Sequence, residues 1–308
     1  MSELQIGLGG KVAVVTGAGA GLGRAEALAL ARAGADLVLG DLSPAVADVA
    51  EQAQAYGVKA STVIGDVGDT EIADALIETA VGSHGRLDVV VNNAGFTRDR
   101  MLFGMSDEDF DAVVRVHLRG HFLVCRAAAR HWRERSKSSA APVYGRLVST
   151  SSESWLFAPP GQPNYSAAKA GIAALTIGAA RGLSRYGVRA NVICPRARTA
   201  MTADVFGPAP GADGANSGDG GGGVDPLGPE HVATFVAWLA SPAAEAVNGQ
   251  VFVVHGGQVL HLAPPTVAHR FVASGPAWTA EDLSGELGPY FGARDPADLF
   301  VFQGPEDK

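Results

Sequence analysis

The sequence predicts a doubly wound α/β domain built around a parallel β-sheet. Short strands rich in Val, Leu and Ala alternate with helical segments four times in succession from residue 11 onwards. Such βα repeats place their strands parallel in one sheet. The first strand also runs directly into a turn that holds four glycines in seven positions. Because ligands of this fold class bind at the carboxyl ends of the strands, we expect the functional residues there.

The glycine-rich turn predicts a dinucleotide-binding loop. It lies at 17–23, between a predicted strand at 11–16 and a helical segment at 24–33. Glycines let backbone N–H groups approach a pyrophosphate, and the N-terminus of the following helix contributes partial positive charge. The residues expected to contact the cofactor here are Gly17, Ala20, Gly21, Leu22 and Gly23. A tight turn without a ligand is the alternative interpretation.

An acidic residue, Asp41, follows the second predicted strand at 35–40 and lies 18 residues beyond Gly23. An acid at this distance binds the ribose hydroxyls of adenosine, and its charge would repel a 2′-phosphate. No Arg or Lys that would favour NADP occupies the neighbouring positions, which are Ala20, Gly40 and Leu42. The sequence therefore favours NAD, with Asp41 and Leu42 as contacts. Asp41 could also cap a helix that begins at Pro44, alone or in addition.

Helices and strands continue to alternate along the rest of the chain. Helices are predicted at 46–56, 72–83, 109–135, 165–186 and 229–239, and strands at 60–64, 87–91, 145–149, 188–194 and 250–254. The residues just beyond these strands include Asp66 and Val67, where adenine could pack, then Asn93, Ala94 and Gly95, then Ser151 and Ser152, and then Pro195. His117 and His121 lie one turn apart on the long helix. Because no third ligand is apparent, no metal site is predicted.

A tyrosine and a lysine four residues apart open the helix at 165–186. Tyr165 and Lys169 lie on the same helix face. The nearby positive charge favours phenolate, so we expect the pKa of Tyr165 to fall from its usual value of about 10. Such a tyrosine can give a proton to a ketone or take one from an alcohol. Ser152 can polarise a carbonyl as an oxyanion donor does; Ser151 is the competing candidate, and a plain turn hydroxyl is the alternative role.

Composition and charge exclude several classes of protein. The chain has 308 residues, of which 47% are apolar, so a large core is possible. Its net charge of −8 argues against nucleic acid and anionic membranes as main partners. No apolar run predicts a membrane span, and no signal peptide is visible. Cys125 and Cys194 lie in apolar runs, so we expect both to be buried and reduced, as in a cytoplasmic protein.

Taken in order, these motifs resemble the short-chain dehydrogenase/reductase family. They are 16–23, Asp66, 92–95, Ser152, Tyr165 with Lys169, and 191–195, and the resemblance covers residues 8–260. It implies a single Rossmann-type domain at 1–260 with a seven-stranded parallel sheet, followed here by a C-terminal extension. It also implies a homodimer or homotetramer that oxidises alcohols or reduces carbonyls of small molecules with a nicotinamide cofactor.

The resemblance also implies roles for individual residues. Tyr165 is the general acid/base, Lys169 lowers its pKa and binds the nicotinamide ribose, and Ser152 hydrogen-bonds the substrate oxygen. The further cofactor contacts that it implies are Asp66, Val67, Asn93, Ala94, Gly95, Pro195, Ala197 and Thr199. His117 stands where the family has a catalytic Asn. It could relay protons, or it could hold a kink in the helix by hydrogen bonding to backbone.

Three segments resemble one branch of the family more closely. They lie at 93–100, 106–110 and 115–120, and are similar to the dehydrogenase unit of peroxisomal multifunctional enzyme type 2 and its stand-alone bacterial relatives. That unit oxidises (3R)-hydroxyacyl-CoA and, in some members, 17β-hydroxysteroids. The resemblance implies NAD-dependent chemistry on a lipid-like secondary alcohol. The alternatives are an NADPH-dependent carbonyl or ketoacyl reductase, against which Asp41 argues, and a non-catalytic NAD-binding protein.

Two segments depart from the family. An insertion within 203–229 replaces the substrate-binding loop, and its Gly- and Pro-rich stretch at 207–229 predicts either a mobile lid or a passive insertion. An apolar substrate would then need contacts elsewhere, such as Trp155, Leu156 and Phe157. The tail at 261–308 contains a predicted helix start, with Thr279 as N-cap and Asp282 three positions later. Its aromatic residues need burial, so we expect it to pack on the domain or on a neighbouring subunit.

Overall fold

Eight strands form a single sheet. They are β1 (Val12–Thr16), β2 (Asp36–Asp41), β3 (Ala60–Ile64), β4 (Val89–Asn92), β5 (Gly145–Thr150), β6 (Val188–Pro195), β7 (Val251–His255) and β8 (Gln258–His261). The structure is a computed structural model that describes residues 6–202, 207, 225–295 and 300. The strand order is β3-β2-β1-β4-β5-β6-β7-β8, in which the first seven strands pair in parallel and β8 pairs antiparallel with β7. The predicted α/β class is confirmed, but the sheet has eight strands where seven were expected.

The central strands form where β-branched residues run together. All five residues of β1 and all four of β4 are buried, as expected for strands with helices on both faces. The additional strand β8 follows the short turn made by Gly256 and Gly257. Gly256 has a φ of +49°, which favours glycine, and this turn reverses the chain so that β8 pairs with β7.

Helices cover both faces of the sheet. They are α1 (Gly21–Arg32), α2 (Val46–Gln54), α3 (Thr70–His84), α4 (Asp107–Val114), α5 (Gly120–Ser139), α6 (Ser154–Phe157), α7 (Pro163–Leu183), α8 (Pro229–Ala240) and α9 (Ala280–Gly292), with 3₁₀ turns at Leu102–Gly104, Ser184–Tyr186 and Pro242–Ala244. α1 packs against α8, and α3 packs against α5. One apolar cluster includes Leu30, Leu39 and Val236, and the other includes Leu76, Trp132 and Leu147. The sheet is therefore sandwiched between two apolar layers.

The single helix predicted at 109–135 is confirmed as one continuous run of helical residues from Asp107 to Ser139, but it contains a π-helical turn. α4 ends at Val114, a π-helical turn spans Arg115–Arg119, and α5 begins at Gly120. π-helical turns inside α-helices are rare and occur frequently at functional sites. His117 lies in this turn and is almost fully buried. The local apolar periodicity continues through this turn, so the sequence predicted the helix but not its π-helical turn.

Contacts divide the chain into two units, at residues 1–262 and 263–308. In the second unit, α9 begins with the predicted capping box. Thr279 Oγ1 accepts a hydrogen bond from Asp282 N at 3.1 Å, and Asp282 Oδ2 accepts one from Thr279 N at 3.2 Å. His269, Phe271 and Tyr290 form a small aromatic cluster within this unit, with ring centroids 4.4 to 5.0 Å apart.

Three further expectations concern the whole chain. Cys125 and Cys194 are both buried and unpaired, as predicted. Among the described residues, no helix combines the length and the apolar character that crossing a bilayer requires. The stretch at 207–229, predicted as a lid or a passive insertion, falls mostly on residues 208–224, which lie outside the described ranges.

Candidate active site

The carboxyl ends of the central strands bring the predicted site residues to one edge of the sheet. β1 lies between β2 and β4, so the strand order reverses there and opens a crevice between the loops that follow β1 and β4. The loops after β5 and β6 lie next along the same edge. The fold therefore gathers the glycine loop, Asn93, Ser152 and Pro195 on one side of the molecule.

The glycine loop must remain free of side chains. Gly17 has a φ of +67°, and a β-carbon on it would lie 2.7 Å from Ala94 Cα; a β-carbon on Gly23 would lie 2.1 Å from the carbonyl oxygen of Gly17. No side chain caps α1 at Ala20. The first-turn N–H groups of α1 consequently have no side-chain acceptor, which fits a bound pyrophosphate.

The carboxylate of Asp41 is held against the glycine loop. Its Oδ2 accepts a hydrogen bond from Gly19 N at 2.8 Å, and its Oδ1 accepts one from Ser43 N at 2.8 Å. Each oxygen keeps a lone pair for a ribose hydroxyl. The predicted capping role of Asp41 is wrong, because α2 begins only at Val46, after Ala45, and has no side-chain cap.

The loops that follow β1 and β4 are joined by hydrogen bonds. Thr16 Oγ1 accepts from Asn93 N at 3.0 Å and from Ala94 N at 3.2 Å. Asn93 Nδ2 donates to Thr16 O at 3.3 Å. These bonds hold the Asn93 side chain beneath the glycine loop, where it shapes the crevice.

The remaining predicted cofactor contacts differ in their surroundings. Asp66 Oδ1 accepts from Gly68 N at 2.7 Å, and its Oδ2 pairs with Arg115 at 3.2 Å, so this carboxylate fixes the loop after β3 against the π-helical turn. Val67 is half-buried beside it, and Leu42 is largely exposed.

The loop after β6 begins at Pro195 and reaches the glycine loop through Thr199, which lies 3.5 Å from the point where Gly21 would carry a β-carbon. Ala197 is buried within that loop.

The hydroxyl groups of Tyr165 and Ser152 meet at the carboxyl end of β5. The Ser152 side chain lies near enough to the Tyr165 hydroxyl to lower its pKa, and Ser152 Oγ accepts a hydrogen bond from Ser154 N at 3.2 Å. The competing Ser151 is buried and donates to the backbone oxygen of Lys169 at 2.8 Å. Of the two serines, Ser152 is therefore the one that faces the tyrosine.

Lys169 lies beneath the phenol ring of Tyr165. Its Nζ donates to Thr150 O at 2.7 Å and lies 5.3 Å from the ring centroid. Burial lowers the pKa of Lys169 to about 7 and raises the pKa of Tyr165 to about 12. The expected fall in the pKa of Tyr165 is therefore wrong for this geometry. Desolvation by burial outweighs the contribution of Ser152, which acts to lower the pKa.

The imidazole of His117 contacts the backbone just beyond Gly95. Its Nε2 lies 3.0 Å from Phe96 N and 2.7 Å from Phe96 O, and its ring meets that of Tyr165 edge-on at 5.1 Å. Burial, assisted by the charge of Lys169, holds the pKa of His117 well below its usual value. A neutral imidazole can make only one of the two Nε2 bonds at a time. This is a backbone contact of the kind that the predicted kink-holding role requires.

Known proteins match the chain over most of its length. A family model described as "Enoyl-(Acyl carrier protein) reductase" matches residues 17–258. A crystal structure of a short-chain dehydrogenase from Mycobacterium avium has a TM-score of 0.80 and 39% identity, and the match covers 94% of this chain and 97% of that chain. The chain belongs to the short-chain dehydrogenase/reductase family.

Two named relatives of this short-chain dehydrogenase/reductase lie in the branch that the sequence resembles. The hydroxyacyl-CoA dehydrogenase ChsB1 of Mycobacterium tuberculosis is 57% identical over 300 residues, which cover 95% of this chain and 92% of that protein. The peroxisomal multifunctional enzyme type 2 of Mus musculus is 39% identical over 260 residues, which cover 81% of this chain but 32% of that protein. The chain is thus similar to a stand-alone dehydrogenase along nearly its full length, and to about a third of the multifunctional enzyme.

The sequence motifs of this short-chain dehydrogenase/reductase did not identify Asn164 as a residue of the site. It is fully buried, and its Nδ2 donates to Arg98 O at 3.0 Å and to Asp109 O at 3.2 Å. Its Oδ1 accepts from Tyr165 N at 2.7 Å. The position of Tyr165 is thus tied to the loop after β4 and to α4. The signal in the sequence was a polar residue directly before the tyrosine.

Glu153 and Arg196 form a second unrecognised contact. Arg196 Nε and Nη2 donate to the two Glu153 carboxylate oxygens at 2.5 and 2.8 Å. Glu153 follows Ser152, and Arg196 follows Pro195, so the ion pair links the loops after β5 and β6. The available signal in the sequence was a charged residue, Arg196, directly after the apolar strand that ends at Pro195.

Glu26 is a buried acid on α1, three residues beyond Gly23. It is 0% exposed, and within the described structure neither carboxylate oxygen has a hydrogen-bond partner. Burial raises its pKa to about 8, against the opposing charge of Lys169. Glu26 is therefore protonated at neutral pH. Within the described ranges, no group of three or more His, Cys, Asp or Glu side chains is arranged to hold a metal ion.

Proposed function

We propose that this oxidoreductase interconverts a secondary alcohol and a ketone, with NAD as its cofactor. The observation that carries the proposal is the approach of the Ser152 side chain to the Tyr165 hydroxyl, at the sheet edge that also holds the glycine loop. Two hydroxyls that meet in this way can hold one substrate oxygen and exchange a proton with it. The presence of Ser152, Tyr165 and Lys169 together argues against a purely NAD-sensing role.

The proposed chemistry divides into hydride and proton transfer. The nicotinamide cofactor, when bound, supplies the hydride acceptor or donor. Ser152 holds the substrate oxygen, and Tyr165 Oη takes its proton during oxidation or supplies one during reduction. Because burial raises the pKa of Tyr165 to about 12, the phenol is protonated at neutral pH and is ready to donate to a ketone. Oxidation needs the phenolate, so we expect its rate to rise with pH.

Lys169 and His117 support the tyrosine in this proposal. The hydrogen bond from Lys169 to Thr150 keeps the amino group beneath the phenol ring, from where it would also bind the nicotinamide ribose. His117 is neutral and contacts the backbone of Phe96. We therefore assign it the role of positioning the loop after β4, with proton relay as the outcome that a variant can reveal.

NAD is the proposed cofactor because of the charge beside the glycine loop. Asp41 places a carboxylate 2.8 Å from Gly19 N, where the adenosine ribose would bind, and a 2′-phosphate would be repelled there. The other residues that we propose to hold the cofactor are Gly17, Ala20, Gly21, Leu22, Gly23, Leu42, Asp66, Val67, Asn93, Ala94, Gly95, Tyr165, Lys169, Pro195, Ala197 and Thr199.

We propose a lipid-like substrate, a 3-hydroxyacyl-CoA or a hydroxysteroid. The name of the relative at 57% identity supports an acyl-CoA substrate. The short helix α6 follows Ser152 and carries Trp155, Leu156 and Phe157, of which Phe157 is 42% exposed. These side chains offer apolar contact beside the reacting groups. Buried, reduced cysteines support action in the cytoplasm, and family resemblance supports a homodimer or homotetramer.

Initial rates of NADH or NADPH formation test the proposal. The panel holds a (3R)-hydroxyacyl-CoA, a 17β-hydroxysteroid and a small secondary alcohol, each with NAD and with NADP. We expect turnover with NAD on a lipid substrate, and its loss in Tyr165→Phe, which should still bind NAD. Preference for NADP by the native protein would overturn the cofactor assignment, and Asp41→Ala should gain NADP activity. Undiminished turnover by Tyr165→Phe would overturn the proton-transfer assignment.

A further inference from the structure

Basic residues are concentrated in one part of this acidic chain. Residues 112–202 contain 14 Lys and Arg but only two acidic residues, Glu134 and Glu153, whereas the whole chain has 24 basic and 32 acidic residues. This stretch includes α5, β5, α7 and β6. The chain therefore contains a strongly basic region despite its net charge of −8. The function proposed above assigns no role to most of these basic residues.

A surface cavity of about 480 Å³ lies within this basic region. It is lined by Arg133, Ser136, Lys137, Ala140, Ala141, Pro142, Arg185 and Tyr186. These residues belong to the end of α5, to the segment before β5 and to the 3₁₀ turn before β6. The cavity thus lies at the amino-terminal edge of the sheet. The proposed active site lies at the opposite edge, one strand length away.

Two guanidinium groups from different elements converge in this cavity. Arg185 Nη2 donates to the Tyr186 hydroxyl at 2.7 Å, and Arg133 lines the same cavity. Desolvation acts to raise the pKa of Tyr186, but the two arginines together lower it below its ordinary value. Within the described residues, no carboxylate forms an ion pair with Arg133, Lys137 or Arg185. Three like charges therefore lie around one cavity, and the Tyr186 hydroxyl accepts a hydrogen bond from one of them, Arg185.

The end of α5 does not require these cations as caps. Ser138 and Ser139 hydroxyls donate to Arg135 O at 3.0 and 2.9 Å, and Ala140 N donates to Lys137 O. Ser136 Oγ bonds Ala141 O at 2.9 Å, beyond the helix end. Because hydroxyl and amide groups bond several of the terminal carbonyls, the three cations remain available to an anion in the cavity.

We propose that this cavity binds a small phosphate-bearing anion. Paired guanidinium groups match phosphate oxygens in geometry and charge, and a lysine adds a third donor without geometric demand. A dianion would neutralise charges that are otherwise uncompensated among the described residues. The cavity is separate from the glycine loop, so the anion and the dinucleotide can be bound at the same time.

Calorimetric titration of the NAD-saturated protein with sodium pyrophosphate tests this proposal, since bound NAD occupies the other phosphate site. Ionic strength is held constant, and inorganic phosphate and citrate are compared. The test variant is Arg133→Gln with Arg185→Gln. The matched control is Arg130→Gln with Arg181→Gln, which removes one exposed charge from α5 and one from α7, at residues that do not line the cavity. We expect saturable binding of one pyrophosphate, weakened at least about tenfold in the test variant and unchanged in the control.

Three outcomes would overturn the proposal. The first is absence of saturable binding at millimolar pyrophosphate. The second is equal weakening in the test and control variants, which would indicate general charge attraction. The third is sedimentation with phosphatidylserine vesicles that depends on Arg133 and Arg185 without pyrophosphate binding, which would identify a membrane-facing surface instead. Unchanged NAD affinity in all variants verifies that the glycine loop is not involved.

Discussion

The imidazole of His117 lies so close to Gly95 that a β-carbon on this glycine would come within 2.0 Å of His117 Cε1. The same ring reaches the backbone of Phe96 through Nε2. The π-helical turn and the loop after β4 are thereby fixed against each other at one glycine. The absence of a side chain at position 95 and the presence of an imidazole at position 117 depend on each other.

Substitution of Gly95 should disturb the contact with His117, even when the added side chain is only a methyl group. We expect Gly95→Ala to lower the free energy of unfolding by about 1–3 kcal/mol, because a buried ring must move to admit a methyl group. NAD binding should weaken as well, since the loop after β4 is joined to Thr16 beneath the glycine loop. Urea denaturation and NAD titration measure the two effects.

The double variant Gly95→Ala with His117→Ala tests whether steric overlap with the imidazole causes the loss of stability. Without the imidazole there is room for the methyl group, so the two substitutions should cost less together than the sum of their separate costs. Gly82→Ala is the matched control. Nothing lies within 4 Å of a β-carbon at that helical glycine, and the substitution should leave stability unchanged or raise it. Additive costs in the double variant would contradict the explanation.

His117→Asn tests whether the imidazole positions backbone or carries protons. An amide has both a donor and an acceptor, so Asn could bond Phe96 N and Phe96 O together, whereas one Nε2 serves one of them at a time. We expect turnover within about threefold of the native value and an unchanged pH profile, as for a positioning residue. A loss of more than about tenfold with an altered pH profile would instead show that the imidazole takes part in proton transfer.

The sequence predicted most strands of the sheet to within one or two residues. Those strands are runs of buried, β-branched residues bounded by turns, and the pattern itself carries the information. The π-helical turn could not be predicted, because it is held by a contact between His117 and Phe96, which lie 21 residues apart. β8 was missed although a signal was present: two glycines separate it from β7, and such spacing indicates a hairpin.

The sequence predicted those features of the candidate site that depend on the spacing of motif residues. It did not predict the features that depend on burial, such as pKa values. The motifs predicted that the glycine loop, Ser152 and Tyr165 lie at the carboxyl ends of the strands, and their roles stay a prediction. The direction predicted for the Tyr165 pKa was wrong, because the spacing to Lys169 does not reveal how strongly burial desolvates the phenol. Glu26 was overlooked for the same reason, since no pattern shows that a helical acid has 0% exposure.

Glu26 should make stability fall as pH rises. Burial raises its pKa from 4.5 to about 8 in the folded state. The group is protonated in both states below pH 4.5, and between the two values only the unfolded chain loses the proton. Its contribution to stability is thus present at low pH and is lost towards pH 8. Glu26→Gln should remove this dependence, which can reach about 1.4 kcal/mol per pH unit.

Urea denaturation at pH 5, 6, 7 and 8 measures the Glu26 effect as a difference between variant and native protein. We expect the Gln variant to gain stability relative to the native chain at each step. Glu51→Gln, on the exposed side of α2, provides the matched control and should run parallel to the native protein. A constant difference between Glu26→Gln and native protein across this range would show that Glu26 keeps an ordinary pKa.

The ion pair of Glu153 and Arg196 should respond unequally to loss of its two partners. The Glu153 side chain is 10% exposed and that of Arg196 is 35% exposed. Arg196→Gln leaves a buried carboxylate without its bidentate partner, which should cost about 2–3 kcal/mol of unfolding free energy. Glu153→Gln leaves a partly hydrated guanidinium and should cost about 1 kcal/mol. Arg98→Gln, in an exposed pair with Asp109, should cost at most about 0.5 kcal/mol.

The rate of catalysis should also depend on the ion pair of Glu153 and Arg196, because Glu153 is the residue next to Ser152. If the pair fixes the loop that presents the serine hydroxyl to Tyr165, both substitutions should lower kcat while the KM for NAD changes little. A double-mutant cycle on kcat then isolates the coupling, and the double variant should be no slower than Arg196→Gln alone. Equal stability costs for the two single variants would contradict the argument from unequal burial. A change confined to the KM for NAD would place the function of the pair at the cofactor loop instead of the serine.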